Sequence, residues 1–474
     1  MDCSWTWNCL KAAQLTRLSI FAAAREVPTQ LALITENARF TYRELAELCI
    51  GRVAALTRVR GLVLLQPQLD LDSVLWLYAL ASTGTPFLAL HPQATAHERA
   101  AAQALTGAQD LPAAQPRSAP PTEEREIHPE DPFAFMLTSG STGASKVVVL
   151  SRRAVLASAA ASEHNLGLDD QERWLLCLPL SHVAGLSIIV RMLGARRTVV
   201  LFAPGTSGLL ARMRDLGREL HEQRVTLVSL IPALLARLLD DGFRPPATLR
   251  AVLLGGAGCT PDLAVRARHA HIPLLTSYGL TETGSQIAAR RYTDRYSPLA
   301  QRDGCVSSGQ PLAGVEMRLV GERIAIRAAS MFSGYVDAAT AAVDPHGWFV
   351  TTDRGALGPA GEIYVLGRTD AVIVTGGEKV DPEEVERALR ALPEVLDACV
   401  FGLSSREFGQ RVVAVVVPTA TTRVITLDQL TVKLSSRLAR FKLPQALAIA
   451  DALPITASGK LDRATCITRF GPAL

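Results

Sequence analysis

Two short apolar-rich runs on either side of an apolar helical stretch constrain the fold of this 474-residue chain more than any other feature. Gly61-Leu-Val-Leu-Leu-Gln66 and Pro86-Phe-Leu-Ala-Leu90 each read as a buried strand, and Leu71 to Ser82 between them as an apolar helix. Strand, helix, strand is the grammar of a parallel α/β layer, because parallel strands need a crossover to connect them. The same alternation returns further on. Arg153 to Ala161 is expected to be helical, followed by a buried strand at Trp174 to Leu180, a helix at Leu186 to Leu193 and a strand at Thr198 to Phe202. Val225 to Ile231 and Leu249 to Leu254 are further strands, the second ending in Gly255-Gly-Ala-Gly258. In such sheets ligands bind at the carboxyl ends of the strands, where His182 and the 255–258 glycines fall.

A small-residue loop, Leu137-Thr-Ser-Gly-Ser-Thr-Gly-Ala-Ser-Lys146, lies between the apolar runs Phe133–Leu137 and Val147–Leu150. Its glycines allow close approach of the backbone, its hydroxyls and N–H groups can donate to phosphate oxygens, and its lysine offsets negative charge. It is not a Walker A loop: Ser145 stands where that pattern needs glycine, and no Ser or Thr follows Lys146. On its own a Ser/Gly turn between two strands explains the stretch as well.

Thr41, with Glu44 three residues later, forms a candidate capping box at the start of an earlier helix. Residues 104–132, rich in Ala, Pro, Gln and Glu, read as a surface connector. From about residue 300 the texture changes to short β segments, including Glu316–Val320, Arg323–Ile326 and Glu362–Leu366. Past Arg368 a new unit begins, with a strand at Ala371–Val374, a helix from Pro382, strands at Val395–Phe401 and Val412–Val417, and a final amphipathic helix.

Composition narrows the function. A net charge of +4, evenly spread, does not argue for nucleic acid as a partner. Eight scattered cysteines without a CxxC pair support neither a zinc site nor a disulfide framework. The N-terminus lacks the pattern of a signal peptide, and the apolar stretch Val74–Leu90 is broken by Ser82-Thr-Gly-Thr-Pro86, short of a membrane span. A soluble, cytoplasmic protein with reduced thiols is expected. The sequence is compatible with a homo-oligomer.

Five further stretches follow the small-residue loop: Tyr278-Gly-Leu-Thr-Glu282, Thr351-Thr-Asp353-Arg-Gly355 (an acid expected in a turn), Gly367-Arg-Thr-Asp370, Gly376-Gly-Glu378 and Pro454-Ile-Thr-Ala-Ser-Gly-Lys460. Six stretches in this order, over residues 137–460, resemble the adenylate-forming superfamily of acyl-CoA synthetases, luciferases and peptide-synthetase adenylation domains. The resemblance implies an α/β fold: a large N-terminal domain of doubly wound sheets (1–368, with a β-rich part at about 300–368) and a small, mobile α+β C-terminal lid (369–474).

It also implies roles. Thr138, Ser139, Gly140, Ser141, Thr142, Gly143 and Lys146 would hold the β- and γ-phosphates of ATP. Glu282 would ligate Mg²⁺, a hard cation suited to carboxylate and phosphate oxygens. Thr281 would meet the AMP phosphate, Tyr278 would stack near adenine (a core tyrosine being its rival reading), and Gly256 would border the nucleotide. Asp353 would accept from both ribose hydroxyls, and Arg368 would hold ribose or phosphate. Lys460 would stabilise charge at the acyl carboxylate and the α-phosphate. Asp370 would be the hinge, and Gly377 would border the pantetheine of coenzyme A after the lid rotates.

Within the superfamily the chain most resembles the o-succinylbenzoate–CoA ligases of menaquinone biosynthesis, through Trp174 to Gly185, Ala251 to Ala257, Arg327–Met331 with Gly334-Tyr335, Thr351 to Gly355, Glu407-Phe-Gly409 and Leu438–Phe441. An acyl pocket lined by His182 to Gly185, Gly255 to Gly258 and Ser277 to Gly279 follows, wide enough for an aromatic ring. A second substrate carboxylate would need a donor or cation, with His182, Ser181 and Arg191 as candidates. Other aryl-CoA ligases, acting on benzoate or anthranilate, would share every nucleotide motif. A stand-alone adenylation protein loading a carrier in trans is the other alternative, although only 14 residues follow Lys460. Three departures from the superfamily pattern stand out: Ser145 for a proline, Val147 for a small residue, and Ser181 for the aromatic before the pocket histidine.

Overall fold

The computed structural model describes residues 16–116, 126–138, 146–203, 212–302, 304–336, 342–375, 378–405, 409–420, 425–438, 440–456 and 460–473. Ser139, Gly140, Ser141, Thr142, Gly143, Ser145 and Gly377 lie outside the described residues, as does the side chain of Asp370.

The apolar runs of the first half sort into two sheets rather than one. Six strands form the first, in the order Gly334–Tyr335, Lys146–Ser151, Pro132–Thr138, Phe87–Ala89, Val63–Leu65 and Gln109–Asp110. Its last four strands are parallel, and the helix Leu71–Thr83 is the crossover between Val63–Leu65 and Phe87–Ala89. That helix starts because the Asp70 side chain accepts from the Ser73 N–H at 2.8 Å. It stops at Gly84, whose φ of 72° is left-handed. Its nine central residues, Ser73 to Ala81, are all buried, which explains their lack of a polar face.

The second sheet has nine strands. From one edge they run Gln310–Pro311, Ser285–Ala289, Leu274–Leu280, Ala251–Leu254, Leu227–Leu230, Arg173–Leu176, Thr198–Leu201, Leu31–Ile34 and Arg39–Thr41. The central six are parallel, so their carboxyl ends lie along one side of the sheet. The capping box at Thr41 is present: its N–H donates to Glu44 Oε2 at 2.7 Å, and its hydroxyl accepts from the Glu44 N–H at 3.3 Å. The helix that follows, Tyr42–Leu56, buries Leu45, Cys49 and Val53 in the main apolar cluster.

A four-stranded antiparallel sheet, Val315–Val320, Arg323–Ala328, Phe349–Leu357 and Ile363–Arg368, makes up the β-rich part. The structure corrects one expectation here. Asp353 lies inside the nine-residue strand Phe349–Leu357 and not in a turn. Thr351, Asp353 and Gly355 alternate inward, so the buried face of this strand carries polar and small residues where a strand pattern calls for apolar ones. The connector is also partly structured, since Gln109–Asp110 pairs with Val63–Leu64 as an edge strand.

Beyond residue 372 a five-stranded sheet carries its own apolar clusters, one around Val385, Leu389, Val400 and Leu430, the other around Phe401, Val415 and Cys466. The clusters of the first part have no members after Val365. Among the described residues no helix is long and apolar enough to cross a membrane. Thr41→Ala removes the hydroxyl of the capping box and is expected to lower the stability of the first part by about 1 kcal/mol. Denaturant unfolding followed by tryptophan fluorescence checks this, because every tryptophan of the chain precedes residue 349.

Candidate active site

The carboxyl ends of the parallel strands assemble a crevice. Ala251–Leu254 passes into Gly255 and Gly256, and Leu274–Leu280 passes into a single 3-10 turn, Thr281–Thr283. Arg173–Leu176 leads through a short turn to His182, which sits at the N-cap of the helix Val183–Ala195. Gly185 in the first turn of that helix has no room for a side chain, because a Cβ there would lie 2.3 Å from the Pro179 carbonyl oxygen. The bare backbone therefore lets the turn pack against the helix and fixes where His182 emerges.

At the centre is Asp353, 6% exposed. The Tyr278 hydroxyl donates to its Oδ2 at 2.5 Å, and its own N–H donates to Thr351 Oγ1 at 3.1 Å. The Thr351 hydroxyl in turn donates to the Ile324 carbonyl at 2.9 Å. Arg368 pairs with Asp353 in the strand register. Tyr278 is itself buried, and burial together with the neighbouring carboxylate holds its phenol well above the usual range. Its hydroxyl thus orients Asp353, a role that its expected place beside adenine did not include.

Glu282 is held from two directions. Its carbonyl accepts from the Phe332 N–H at 2.8 Å, and Tyr335 donates its hydroxyl to Oε1 at 2.8 Å. The Lys146 ammonium lies 5.1 Å above the Tyr335 ring, which ties the end of the small-residue loop to the same carboxylate. Tyr335 was not among the expected site residues. In the sequence Gly334-Tyr335 marks only the resemblance, with no role attached, and strand pairing of Gly334–Tyr335 with Val148–Val149 brings it in.

Lys460 comes from the far end of the chain. Its backbone closes a small hairpin, with the Thr456 N–H donating to the Lys460 carbonyl at 2.7 Å. The side-chain stem runs past Gly256, where a built Cβ would stand 3.9 Å from Lys460 Cε. Solvent reaches the lysine from the open side of the crevice, yet the surrounding protein still displaces enough water to lower its pKa. Asp353 and Glu282 oppose that shift, and Arg368 adds to it.

His182 lies beside the same lysine. Burial, then His91 and Lys460, pull its pKa down to about 4. The His91 ring lies 6.3 Å away, and His182 Nε2 is buried with no hydrogen-bond partner among the described residues. The Ser181 hydroxyl is likewise buried without a partner. Arg191, on the same helix, is 4% exposed and lines a small cavity with Val183, Ser187, Ser158 and Gly284. One of its terminal nitrogens donates to Ser285 Oγ at 3.2 Å, and its guanidinium stacks 5.4 Å from the Trp174 ring. Its Nε is buried without a hydrogen-bond partner among the described residues, and burial pulls its pKa down to about 9.

Chemically, the crevice offers an oriented buried carboxylate, a second carboxylate beside a phenol, a mobile-stemmed cation and a neutral imidazole. The described residues contain no group of three or more His, Cys, Asp or Glu side chains that could hold a metal alone. A single carboxylate fits a cation that takes its other ligands from phosphates and water, as Mg²⁺ does.

The sequence matches the AMP-binding enzyme family over residues 92–336 and the AMP-binding enzyme C-terminal domain over 384–460. It is 31% identical to a 2-succinylbenzoate–CoA ligase of Bacillus velezensis, over 93% of this chain and 95% of that one. A 2-succinylbenzoate–CoA ligase of Escherichia coli is 37% identical over 66% of this chain and 63% of its own length. The fold superposes with a TM-score of 0.81 on the Bacillus subtilis o-succinylbenzoate CoA synthetase in complex with its acyl-adenylate intermediate, at 27% identity, covering 94% of this chain and 97% of that one. The Bacillus subtilis enzyme with ATP and magnesium ion superposes at 0.80, with 28% identity and coverage of 94% and 98%.

His182 should stay neutral across the working range. Its folded pKa of about 4 lies below the ordinary histidine value of 6.5, so the unfolded chain binds that proton more readily. The expected result is a His182 imidazole resonance that does not titrate between about pH 5.5 and 8, with stability declining as pH falls from 6.5 towards 4. NMR titration with His182→Asn as the assignment control, and urea unfolding across that window, check both.

Proposed function

The chain belongs to the AMP-binding enzyme family, and on that premise we propose that it is an ATP-dependent acid–CoA ligase whose substrate is 2-succinylbenzoate. The observation that carries the substrate is Arg191. A buried guanidinium beside a cavity, donating to Ser285 Oγ and with no carboxylate paired to it among the described residues, is costly unless a ligand supplies the negative charge. On the helix Val183–Ala195, Val183, Ser187, Val190 and Arg191 recur at helical spacing, so that cation lies on the face that also borders the cavity. A dicarboxylate can place one carboxylate against Arg191 and present the other for reaction. Monocarboxylic rivals such as benzoate or anthranilate would leave the guanidinium unpaired, or pair it with the group that must react. The likeness to the 2-succinylbenzoate–CoA ligases supports the same assignment.

The reaction has two halves. A carboxylate oxygen attacks the α-phosphorus of ATP; the new C–O–P linkage forms as the α–β bond breaks, and pyrophosphate leaves. Lys460 stabilises the charge that gathers on the α-phosphate and the attacking carboxylate. Asp353, oriented by Tyr278, accepts from the ribose hydroxyls; Thr281 meets the α-phosphate, Arg368 the ribose or phosphate, and Thr138 and Lys146 flank the loop that cradles the β- and γ-phosphates. Glu282 would be the protein ligand for Mg²⁺, which would supply charge neutralisation to the phosphates when bound. His182, held neutral, can accept or donate one hydrogen bond to the acyl group without adding a charge beside the anhydride.

In the second half the thiol of coenzyme A attacks the acyl carbonyl, the thioester forms and AMP leaves. We assign residues 1–368 to the nucleotide and acyl domain and 369–474 to a lid that rotates about Asp370, withdrawing Lys460 and bringing the Gly377 turn to the pantetheine. Closing the site protects the anhydride from water. We place the protein in the cytoplasm, where ATP and coenzyme A meet and where its cysteine thiols stay reduced.

Lys460→Ala is expected to lower ATP–pyrophosphate exchange by about 10²–10³-fold. Turnover of preformed acyl-adenylate with coenzyme A should change little, and undiminished exchange would refute the role of Lys460. Arg191→Gln should lower kcat/KM for 2-succinylbenzoate by about 10²-fold or more while leaving any benzoate activity unchanged. Coenzyme A-dependent AMP release over a panel of 2-succinylbenzoate, benzoate, anthranilate and fatty acids checks the substrate. Preference for a monocarboxylate would overturn it, and thioester formation on a carrier protein but not on free coenzyme A would favour the adenylation-protein reading.

A further inference from the structure

Asp381 stands at the start of the C-terminal helix Pro382–Arg390, and its carboxylate reaches across to the other domain. The Arg354 guanidinium donates to its Oδ2 at 3.0 Å, with side-chain exposures of 7% for Asp381 and 21% for Arg354. Arg354 is the residue after Asp353 in the strand Phe349–Leu357, and its Nε also donates to Glu322 at 3.0 Å. The seat for Asp381 is shaped by Gly367, whose φ is +149°; a Cβ built there would lie 3.0 Å from both carboxylate oxygens. A second contact runs beside the first. Arg387, one turn along the same helix, donates to the Leu366 carbonyl at 3.0 Å and packs its Cδ near Gly304. The helix N-terminus of the lid is therefore docked on the two strands that carry Asp353 and Arg368.

We propose that the Arg354–Asp381 pair is a latch that holds the lid in the arrangement delivering Lys460 to the crevice, with Arg354 a positioning residue for adenylation that must let go before thioester formation. The proposal rests on the two-step reading given above.

The energetics suit a switch. A buried ion pair is close to balance against its separated, hydrated partners, so a complete latch can open at little cost. Once the lid turns, both groups return to water, where such a pair contributes little. Removing one partner breaks the balance on one side only. Without Arg354, the latched arrangement alone must bury an Asp381 carboxylate with a weakened set of partners, namely the Glu383 N–H at 2.9 Å and the nearby Arg387. The rotated arrangement loses nothing. Loss of the Asp381 charge is milder, since Arg354 keeps Glu322. A neutral pair removes the uncompensated charge altogether. These asymmetries separate a latch from a general structural support.

The test compares Arg354→Gln, Asp381→Asn, which keeps a cap on the helix, and the double variant. Arg354→Gln is expected to lower ATP–pyrophosphate exchange by about tenfold, Asp381→Asn by roughly threefold, and the double variant should recover most of the loss. Transfer from preformed acyl-adenylate to coenzyme A should be unchanged or faster in all three. A parallel fall in both half-reactions, or no recovery in the double variant, would overturn the latch. A readout free of substrate separates this from the function itself: fluorophores placed at the exposed Val265 and Val432 report the distance between domains. One short distance is expected for the wild type and a second, longer population for Arg354→Gln. An unchanged distribution in Arg354→Gln would also overturn the latch. If the distance shifts but the wild type shows no exchange with 2-succinylbenzoate, the substrate assignment fails and the latch stands.

Discussion

A buried carboxylate has to be satisfied, and much of the crevice is arranged around meeting that requirement for Asp353. The Tyr278 hydroxyl, from the nine-stranded sheet, donates to the carboxylate, while within the four-stranded sheet Thr351 accepts from the Asp353 N–H and Arg368 is its register partner. Asp353 therefore joins two sheets that share no strand. A phenol and its own strand hold it aimed, which is what binding vicinal hydroxyls demands. The strand that carries it gives up an apolar inner face to do so.

The remaining ionisable groups follow the same logic with different outcomes. Lys460 enters a place where protein displaces water but two carboxylates offset the cost. His182 has a histidine and a lysine for neighbours, so burial and like charge act together to keep it neutral. Arg191 is deeper still and has a serine and an indole rather than an acid. The crevice thus holds a cation with partners and a base without charge, and the helix that follows His182 carries a buried cation with no carboxylate partner among the described residues. That division matches a reaction in which phosphate charge must be stabilised, the acyl carbonyl left unencumbered, and a dicarboxylate told from its simpler analogues.

Much of the architecture is legible in the sequence because it is local. Val63–Leu65, Leu71–Thr83 and Phe87–Ala89 lie where the apolar runs predict them, and the capping box at Thr41 needs only residues three apart. The order of the motifs likewise points to Glu282, Asp353, Arg368 and Lys460. The strand at Phe349–Leu357 is hidden, since a site face of Thr, Asp and Gly does not alternate in hydrophobicity. Tyr335 is hidden for another reason: it reaches Glu282 only after a two-residue strand pairs with Val148–Val149, nearly 190 residues away in the chain.

What the sequence determined by itself was the set of elements and the chemistry available, since helix period, strand length, caps and motif residues are properties of neighbouring positions. Tertiary structure alone decided which groups share an environment. Whether Arg191 is a surface cation or a buried one, whether Tyr278 packs or orients a carboxylate, and whether Asp381 merely caps a helix or also grips Arg354 depend on burial and distance between remote segments. Charge and hydrogen bonding draw their strength from the water that is excluded around them, and that exclusion exists only once the chain has folded.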